Sequence, residues 1–367
     1  MIYVFYNNDP LASDQGGGAE HLRGIYRALK RSKINFKIIS SRMQKDSVAE
    51  NVMFISSGAN ILNFFLSMII WFMKNRSNFS NEDVFHFHRN YLIWPKYLII
   101  GKKGRTIITY HNLTGKKLED WFGRFGTKFV RRIMLHFERS AVSLSDRIIF
   151  VSDRVRQALK DEVLGNNYNK TVVIPAAFDS DAFKRCSITN VNLSNKIVTI
   201  GRLASIKNFD LAIEVLEMLC TKGHDYYLTI VGDGELKEQL DKRVQESKFK
   251  KRINLYGRAD HKDICKIISN HGIVLVTSKF EASPTIVKEG IASKRPVVTT
   301  DVGDVSLWIS NGNNGYICEH TSESLVNAIL KASQMITKET YNQKIDLSEF
   351  SEKAIMDRVI EQYAFTS

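Results

Sequence analysis

One stretch limits the possible folds more than any other: residues 273–304, IVLVTSKFEASPTIVKEGIASKRPVVTTDVGD. Its opening apolar run, Ile273 to Val276, has the length of a strand buried on both faces. A loop from Thr277 to Ser283 carries Glu281. Ser283 can serve as the N-cap and Pro284 as the first residue of a helix reaching about Ser293, ahead of Arg295-Pro296. A second β-branched run, Pro296 to Thr300, leads into a turn at Asp301-Val302-Gly303-Asp304. Strand, loop, helix and strand make one βαβ unit, whose strands run parallel and carry helices over the sheet.

The chemistry of this unit lies in the loop and the first helical turns. Thr285, Ile286 and Val287 have N–H groups without intrahelical partners, and the helix dipole adds partial positive charge. Phosphates bind at such helix starts. Glu289, one or two turns in, can accept hydrogen bonds from the hydroxyls of a ribose attached to that phosphate. Glu281 can do the same for a sugar on the other side. Two solvated glutamates and an ordinary covering helix are the alternative, which the rest of the chain has to decide.

The chain has 367 residues, 44% hydrophobic and 25% charged, which fits a globular protein of two or three domains. Met1 to Tyr6 lacks the basic start of a signal peptide and reads as a first strand. The four cysteines, Cys186, Cys220, Cys265 and Cys318, have no CxxC spacing; reduced thiols and no zinc site are expected. The net charge of +13 is uneven. Residues 1–180 hold 27 Lys and Arg against 15 Asp and Glu, a net +12; residues 181–367 hold 25 against 24, a net +1. A basic excess confined to one half points to an anionic partner: membrane surface, nucleic acid or acidic substrate.

In the first half, strand one runs into a polar loop and then Gly16-Gly17-Gly18-Ala19-Glu20-His21, where a helix starts. Such a turn lets backbone N–H groups approach an anion, although GxGxxG is absent and a plain loop is an equal reading. Ile34–Ser40 and Val52–Ser56 read as strands. Ile61–Met73 is strongly apolar but shorter than the roughly 20 residues of a membrane span, so a buried helix or a membrane-dipping face is expected. Val84 to His88 and Thr106 to His111 are strands ending in histidine. Functional groups collect at the carboxyl ends of parallel strands, which favours a function for His111 and a structural role for His86. Lys116–Arg139 reads as an amphipathic helix, with Trp121, Phe122, Phe125, Phe129 and Ile133 on one face and Arg124, Lys128 and Arg131 away from it. That face is either core or a lipid-surface contact. A strand at Arg147–Val151 and a helix capped by Ser152 follow, and Thr171–Pro175 closes a doubly wound α/β domain of about seven strands.

Residues Ala176 to Asn195 look like a polar linker, after which the pattern restarts. Strands at Lys196–Ile200, Tyr227–Val231 and Ile253–Tyr256 lead into Gly201-Arg202-Leu203, Gly232-Asp233-Gly234 and Gly257-Arg258 respectively. Arg202 and Lys207 can reach one diphosphate, since these side chains pair with such groups; each alone could equally be a surface charge. The tail from Ser348 to Ala364 is helical.

In order, GGGAEHL at 16–22, YHN at 110–112, SDRIIFVSDRVRQAL at 145–159, GRL and KN within 201–208, VGDGELKEQL at 231–240 and EASPTIVKE with PVVTTDVGD within 281–304 resemble one family. The chain is similar, over nearly its whole length, to the retaining glycosyltransferases of the GT-B fold, glycosyltransferase family 4. The two glutamates eight apart are that family's most specific signature. The resemblance implies an α/β protein of two Rossmann-like doubly wound parallel-sheet domains facing a central cleft. It divides the chain into 1–178, binding acceptor; 179–347, binding nucleotide sugar; and 348–367, a helix packing back towards the first domain. Arg202 and Lys207 resemble the pair that neutralises the donor diphosphate. Glu289 resembles the ribose-binding carboxylate, Glu281 the one facing the donor sugar, and His111 the histidine near the reacting sugar. Ser283, Pro284, Thr285 and Ile286 would hold the β-phosphate. Gly17, Gly18, Gly201 and Gly232 would lie near the donor, and Tyr256, Gly257 and Arg258 would border its base.

This sequence departs from the family pattern at Ala176-Ala177-Phe178-Asp179, where Asn-Gly-Val-Asp is usual, at Ala282-Ser283, where a Gly-aromatic pair is usual, and at Asn112, where Asp is common. These changes bear on donor and acceptor identity. The expected reaction moves a sugar from a UDP- or GDP-sugar to a hydroxyl of a lipid-linked or growing surface glycan, with no cofactor and no metal. The expected partners are the donor, the acceptor and an anionic membrane surface met by the first domain, but no nucleic acid. The expected place is cytoplasmic, at the inner face of the cell membrane. A nucleotide-sugar epimerase of similar two-domain fold and a non-catalytic glycosyltransferase partner are the competing readings.

Overall fold

The computed structural model describes residues 1–10, 16–42, 49–58, 60–111, 131–185, 193–337, 341, 348–349 and 351–364. The chain divides into two compact units, Met1–Ala177 with Glu352–Ser367, and Phe178–Ser351.

In the first unit the strands are β1 (Ile2–Tyr6), β2 (Phe36–Arg42), β3 (Val52–Ser57), β4 (Val84–Phe87), β5 (Arg105–Tyr110), β6 (Arg147–Phe150) and β7 (Thr171–Val173). They form one parallel sheet in the order β3-β2-β1-β4-β5-β6-β7. Between them run α1 (Gly16–Arg31), α2 (Ile61–Asn75), α3 (Ile93–Ile100), α4 (131–144) and α5 (Asp153–Ala158). Every residue of β1 and β4 is buried, as strands covered on both faces require. Asn60 caps α2 through its side chain, accepting from the N–H groups of Leu62 and Asn63. Ser152 precedes α5 as expected, yet makes no side-chain capping bond. Of the amphipathic segment predicted at Lys116–Arg139, Trp121 to Phe129 lie outside the described residues.

The second unit repeats the plan. Its strands are β8 (Lys196–Ile200), β9 (Tyr227–Val231), β10 (Ile253–Gly257), β11 (Ile273–Val276), β12 (Val297–Thr300) and β13 (Gly315–Cys318), parallel in the order β10-β9-β8-β11-β12-β13. The helices are α6 (Ser180–Arg185), α7 (Phe209–Thr221), α8 (Lys237–Gln245), α9 (His261–Ser269), α10 (Thr285–Ala292) and α11 (Ser322–Thr337). The expected linker is partly a packed element. Phe178 and Phe183 are buried in a cluster with Val198, Val274, Ile286 and Trp308, so α6 belongs to the second core. Two large aromatics within a polar stretch find their partners only in three dimensions. The expectation of four reduced thiols is also corrected: Cys220 and Cys318 are free, but Cys265 is disulfide-bonded.

The last helix, α12 (Glu352–Ala364), belongs to the first unit. It buries Ile355, Met356, Val359 and Tyr363. Arg31 pairs with Asp357 at 2.7 Å, Arg147 donates to Gln362 at 2.8 Å, and Arg358 donates to the Val173 carbonyl at 2.8 Å.

In each sheet the chain leaves a central strand in one direction and later returns to its other side. These switch points lie between β1 and β4 and between β8 and β11. Crevices at the carboxyl ends of such strands are where open α/β sheets bind ligands.

Candidate functional site

At the second switch point the segment of residues 273–304 folds as its pattern predicts. β11 is buried throughout and is followed by Thr277, whose hydroxyl donates to the carbonyls of Lys207 and Asn208 at 3.1 and 2.9 Å. This stitches the loop after β8 to the loop after β11. Asn208 takes a left-handed conformation, φ 54°, and ends the short turn Ser205–Lys207. Lys207 is thereby aimed at Glu281: its Nζ pairs with Glu281 Oε1, which also accepts from Ser278 Oγ at 2.9 Å. Thr199, Lys207, Phe209, Ser278, Glu281 and Ile286 line one recess here. The recess brings the cation, the loop carboxylate and the start of α10 together.

The start of α10 differs from the expectation. Pro284 is the N-cap, φ −70° and ψ 108°, and Thr285 is the first helical residue. Ser283 is therefore not the N-cap residue. Its hydroxyl donates to Asp304 Oδ2 at 2.6 Å and accepts from Lys288 Nζ at 2.6 Å. Pro284 makes no side-chain capping bond.

Other expected residues are more dispersed. Arg202 is 71% exposed and pairs with Glu235 at 2.9 Å rather than facing Lys207. Glu289 is buried and lies 3.3 Å from His261 Nε2. Tyr256 is exposed at the end of β10, followed by Gly257 at φ +81°. Gly232 is required by close approach: a Cβ there would stand 1.9 Å from the Gly201 carbonyl oxygen. That contact, with Leu203 N–H donating to the Asp233 carbonyl at 2.9 Å, packs the two glycine-rich loops together. At Gly201 a Cβ would meet only ordinary contacts.

At the first switch point Gly16, Gly17 and Gly18 already belong to the first turn of α1. A Cβ on Gly18 would stand 2.4 Å from the Tyr6 hydroxyl at the end of β1. His21 from α1, His88 after β4 and His111 after β5 converge. His88 Nδ1 and His111 Nε2 share a hydrogen bond of 2.8 Å, and the His21 ring stands edge-on to His111 at 5.0 Å. Burial, reinforced by His21 and Arg89, holds His111 well below the ordinary histidine range. Burial does the same at His88, helped by His86 and His111. Both imidazoles are neutral near pH 7. Among the described residues these three rings are the one grouping able to offer a metal three ligands, with nitrogens within 4.8 Å of one another.

His86 is enclosed, with both ring nitrogens bonded, to Tyr363 Oη at 2.8 Å and Thr109 Oγ1 at 2.7 Å; burial lowers it to about 3. Glu138 on α4 escaped the sequence reading. It is buried beside Asn90, 3.1 Å away, and burial pushes its carboxyl up to about 7. His261 and Lys288 were missed as well. Their partners come from other elements, and no local motif announces them.

Two doubly wound parallel units, each with polar groups at its switch point, make this a GT-B protein. The family model described as Glycosyltransferase Family 4 matches residues 15–182, and that described as Glycosyl transferases group 1 matches residues 182–345. The chain belongs to glycosyltransferase family 4. It is 26% identical over 258 residues to the phosphatidylinositol N-acetylglucosaminyltransferase GPI3 subunit of Saccharomyces cerevisiae, covering 67% of this chain and 52% of that one. It is 27% identical over 220 residues to the poly(ribitol-phosphate) alpha-N-acetylglucosaminyltransferase of Staphylococcus aureus, covering 55% of this chain and 42% of that one. The chain thus spans about half the length of these relatives. Among solved structures it is similar in fold to a sucrose-phosphate synthase from Thermosynechococcus elongatus, with TM-score 0.77, 16% identity and coverage of 99% and 98%. Anabaena HepE in complex with UDP and glucose gives TM-score 0.72, 15% identity and coverage of 100% and 99%.

Proposed function

We propose that this chain transfers a sugar from a nucleoside diphosphate sugar to a hydroxyl of a surface or lipid-linked glycan, with retention at the anomeric carbon and no metal. The observation that carries the reading is the recess where Lys207, Glu281 and the start of α10 meet. A diphosphate leaving group needs preorganised positive charge, and fixed donors supply it best. Lys207 is already fixed there. Arg202 joins it by leaving Glu235, which costs little because exposed ion pairs contribute about 1 kcal/mol or less. The start of α10 receives the β-phosphate, Glu289 the ribose hydroxyls and Glu281 the donor sugar. His111, held neutral by burial at a strand end of the first unit, is suited to act as a hydrogen-bonding group. The bond from sugar to diphosphate breaks while a bond to the acceptor oxygen forms on the same face, and the acceptor's proton leaves with the nucleoside diphosphate.

The relatives' own acceptors, phosphatidylinositol and poly(ribitol-phosphate) by name, support an envelope or lipid-linked acceptor here. The UDP complex of HepE supports a nucleotide donor. A peripheral lipid contact through the first unit fits its basic charge. No helix among the described residues is long and apolar enough to cross a membrane.

A thermal-shift screen across UDP- and GDP-sugars tests the reading. One donor is expected to raise the unfolding midpoint, since selective binding stabilises the folded form. That donor should then label an envelope glycan acceptor with retained configuration. An epimerised donor formed without acceptor would overturn transfer in favour of epimerisation.

A further inference from the structure

Lys288 sits within α10 and is fully buried, a costly place for an ammonium group. Its surroundings account for it. Nζ donates to Ser283 Oγ at 2.6 Å, lies 3.7 Å from Asp304 Oδ2, and stands 4.6 Å from the centre of the Trp308 ring. Ser283 Oγ donates in turn to the same Asp304 oxygen at 2.6 Å. The loop before α10, the helix itself and the turn after β12 each contribute one member of this triad. Gly303 tightens the arrangement. It adopts φ +57°, and a Cβ there would stand 2.4 Å from the Ala282 carbonyl oxygen and 2.9 Å from that of Glu281. The turn bearing Asp304 therefore packs on the backbone from which Glu281 projects.

Buried ion pairs are often no more stabilising than apolar residues of the same volume. What this one does is occupy Ser283. Its hydroxyl is bonded to both Lys288 and Asp304, which ties the loop before α10 to the helix and to the turn after β12.

The geometry points to Lys288 and Asp304 as positioning residues of the donor site: through Ser283 they fix the loop that presents Glu281 and leads into the start of α10. This rests on the donor reading above. It concerns how the site is held, since neither side chain touches the donor.

The test compares wild type with Ser283→Ala and with the double variant Lys288→Met/Asp304→Asn, which removes both buried charges together. Two readouts are taken: amide hydrogen exchange over residues 278–287, and titration with UDP and with GDP. In both variants exchange in that segment is expected to quicken about tenfold or more while the rest of the second unit keeps wild-type rates. Whichever nucleotide the wild type binds is expected to bind about tenfold more weakly, because the loop leading into α10 is no longer held in place before the ligand arrives. Wild-type exchange over 278–287 in both variants overturns the proposal. Faster exchange with undiminished nucleotide affinity reduces the triad to packing and overturns its role in donor binding. A wild-type chain that binds neither UDP nor GDP overturns the donor reading, and the exchange rates still decide whether the triad holds the loop. Should the double variant not fold, Ser283→Ala decides alone, because it keeps the ion pair.

Discussion

Lys207 and Glu281 are partly buried, 24% and 16% exposed, so their charges act on each other and on a ligand through less water than a surface pair would. Lys207→Ala is expected to lower turnover about a hundredfold or more, the loss of one transition-state donor at roughly 3–4 kcal/mol. The unfolding midpoint should move little, since a pair that is still partly solvated contributes on the order of 1 kcal/mol. Steady-state rates beside a melting curve make the check, and near-normal turnover refutes the role. The histidines add a pH dependence with a definite sign. His86, His88 and His111 are held neutral, in each case chiefly by burial. The unfolded chain protonates them near pH 6.5 while the folded chain does not, so stability is full above about 6.5 and falls with pH by up to about 1.4 kcal/mol per unit for each. Glu138, raised to about 7, works the other way, because the folded chain takes its proton first. Three losses against one gain leave a net loss between pH 6.5 and 4.5. Calorimetry should show the first unit's midpoint falling across that window; a constant midpoint down to pH 5 would contradict neutral, buried imidazoles.

The elements divide into those the sequence displays and those it hides. β11, α10 and β12 were legible because a buried strand and its crossover helix need apolar runs of set length, broken where the chain turns. The glycine loops were legible for a similar reason. At Gly232 any side chain would collide with Gly201, so Gly232→Ala is expected to lower the second unit's unfolding midpoint and to weaken donor binding, both readable in one thermal-shift series with and without nucleotide. Ser283 looks like a cap by local rules, but Pro284 takes the N-cap position and Ser283 bonds Lys288 and Asp304, and a partner 21 residues away has no local signature. The same holds for α6, whose phenylalanines answer to the second core, and for His261 beside Glu289. α12 is the extreme case. Its helical pattern is visible, yet its partners lie at the other end of the chain, as in the bond between Tyr363 and His86, 277 residues apart. Tyr363→Phe leaves a buried His86 nitrogen unpaired and is expected to destabilise the first unit by about 1–3 kcal/mol, measured by denaturant unfolding.

For the whole molecule the controlling quantity is where its charge and apolar surface lie. The net +12 of residues 1–180 sits in a unit that also leaves apolar side chains exposed along α2. Phe64, Met68, Trp71 and Phe72 pack inward, but Leu62, Leu66, Ile70 and Met73, at helical spacing, are 63, 50, 53 and 56% exposed. Leu98 on α3, a helix packed against α2, is 67% exposed. A row of large apolar groups in water is costly unless something covers it, and the net positive charge of this half of the chain favours an anionic lipid surface as the cover. The membrane contact anticipated for residues 116–139 is therefore argued from α2. Sedimentation with vesicles containing anionic lipid is expected, and it should weaken as salt rises from about 0.1 to 1 M and the screening length shrinks from about 10 to 3 Å. Leu62→Ser/Leu66→Ser/Ile70→Ser should reduce binding at low salt without lowering the unfolding midpoint, because these side chains contribute little to the core. Equal binding to neutral and anionic vesicles would remove the electrostatic half of the argument, and undiminished binding by the triple variant would remove the apolar half.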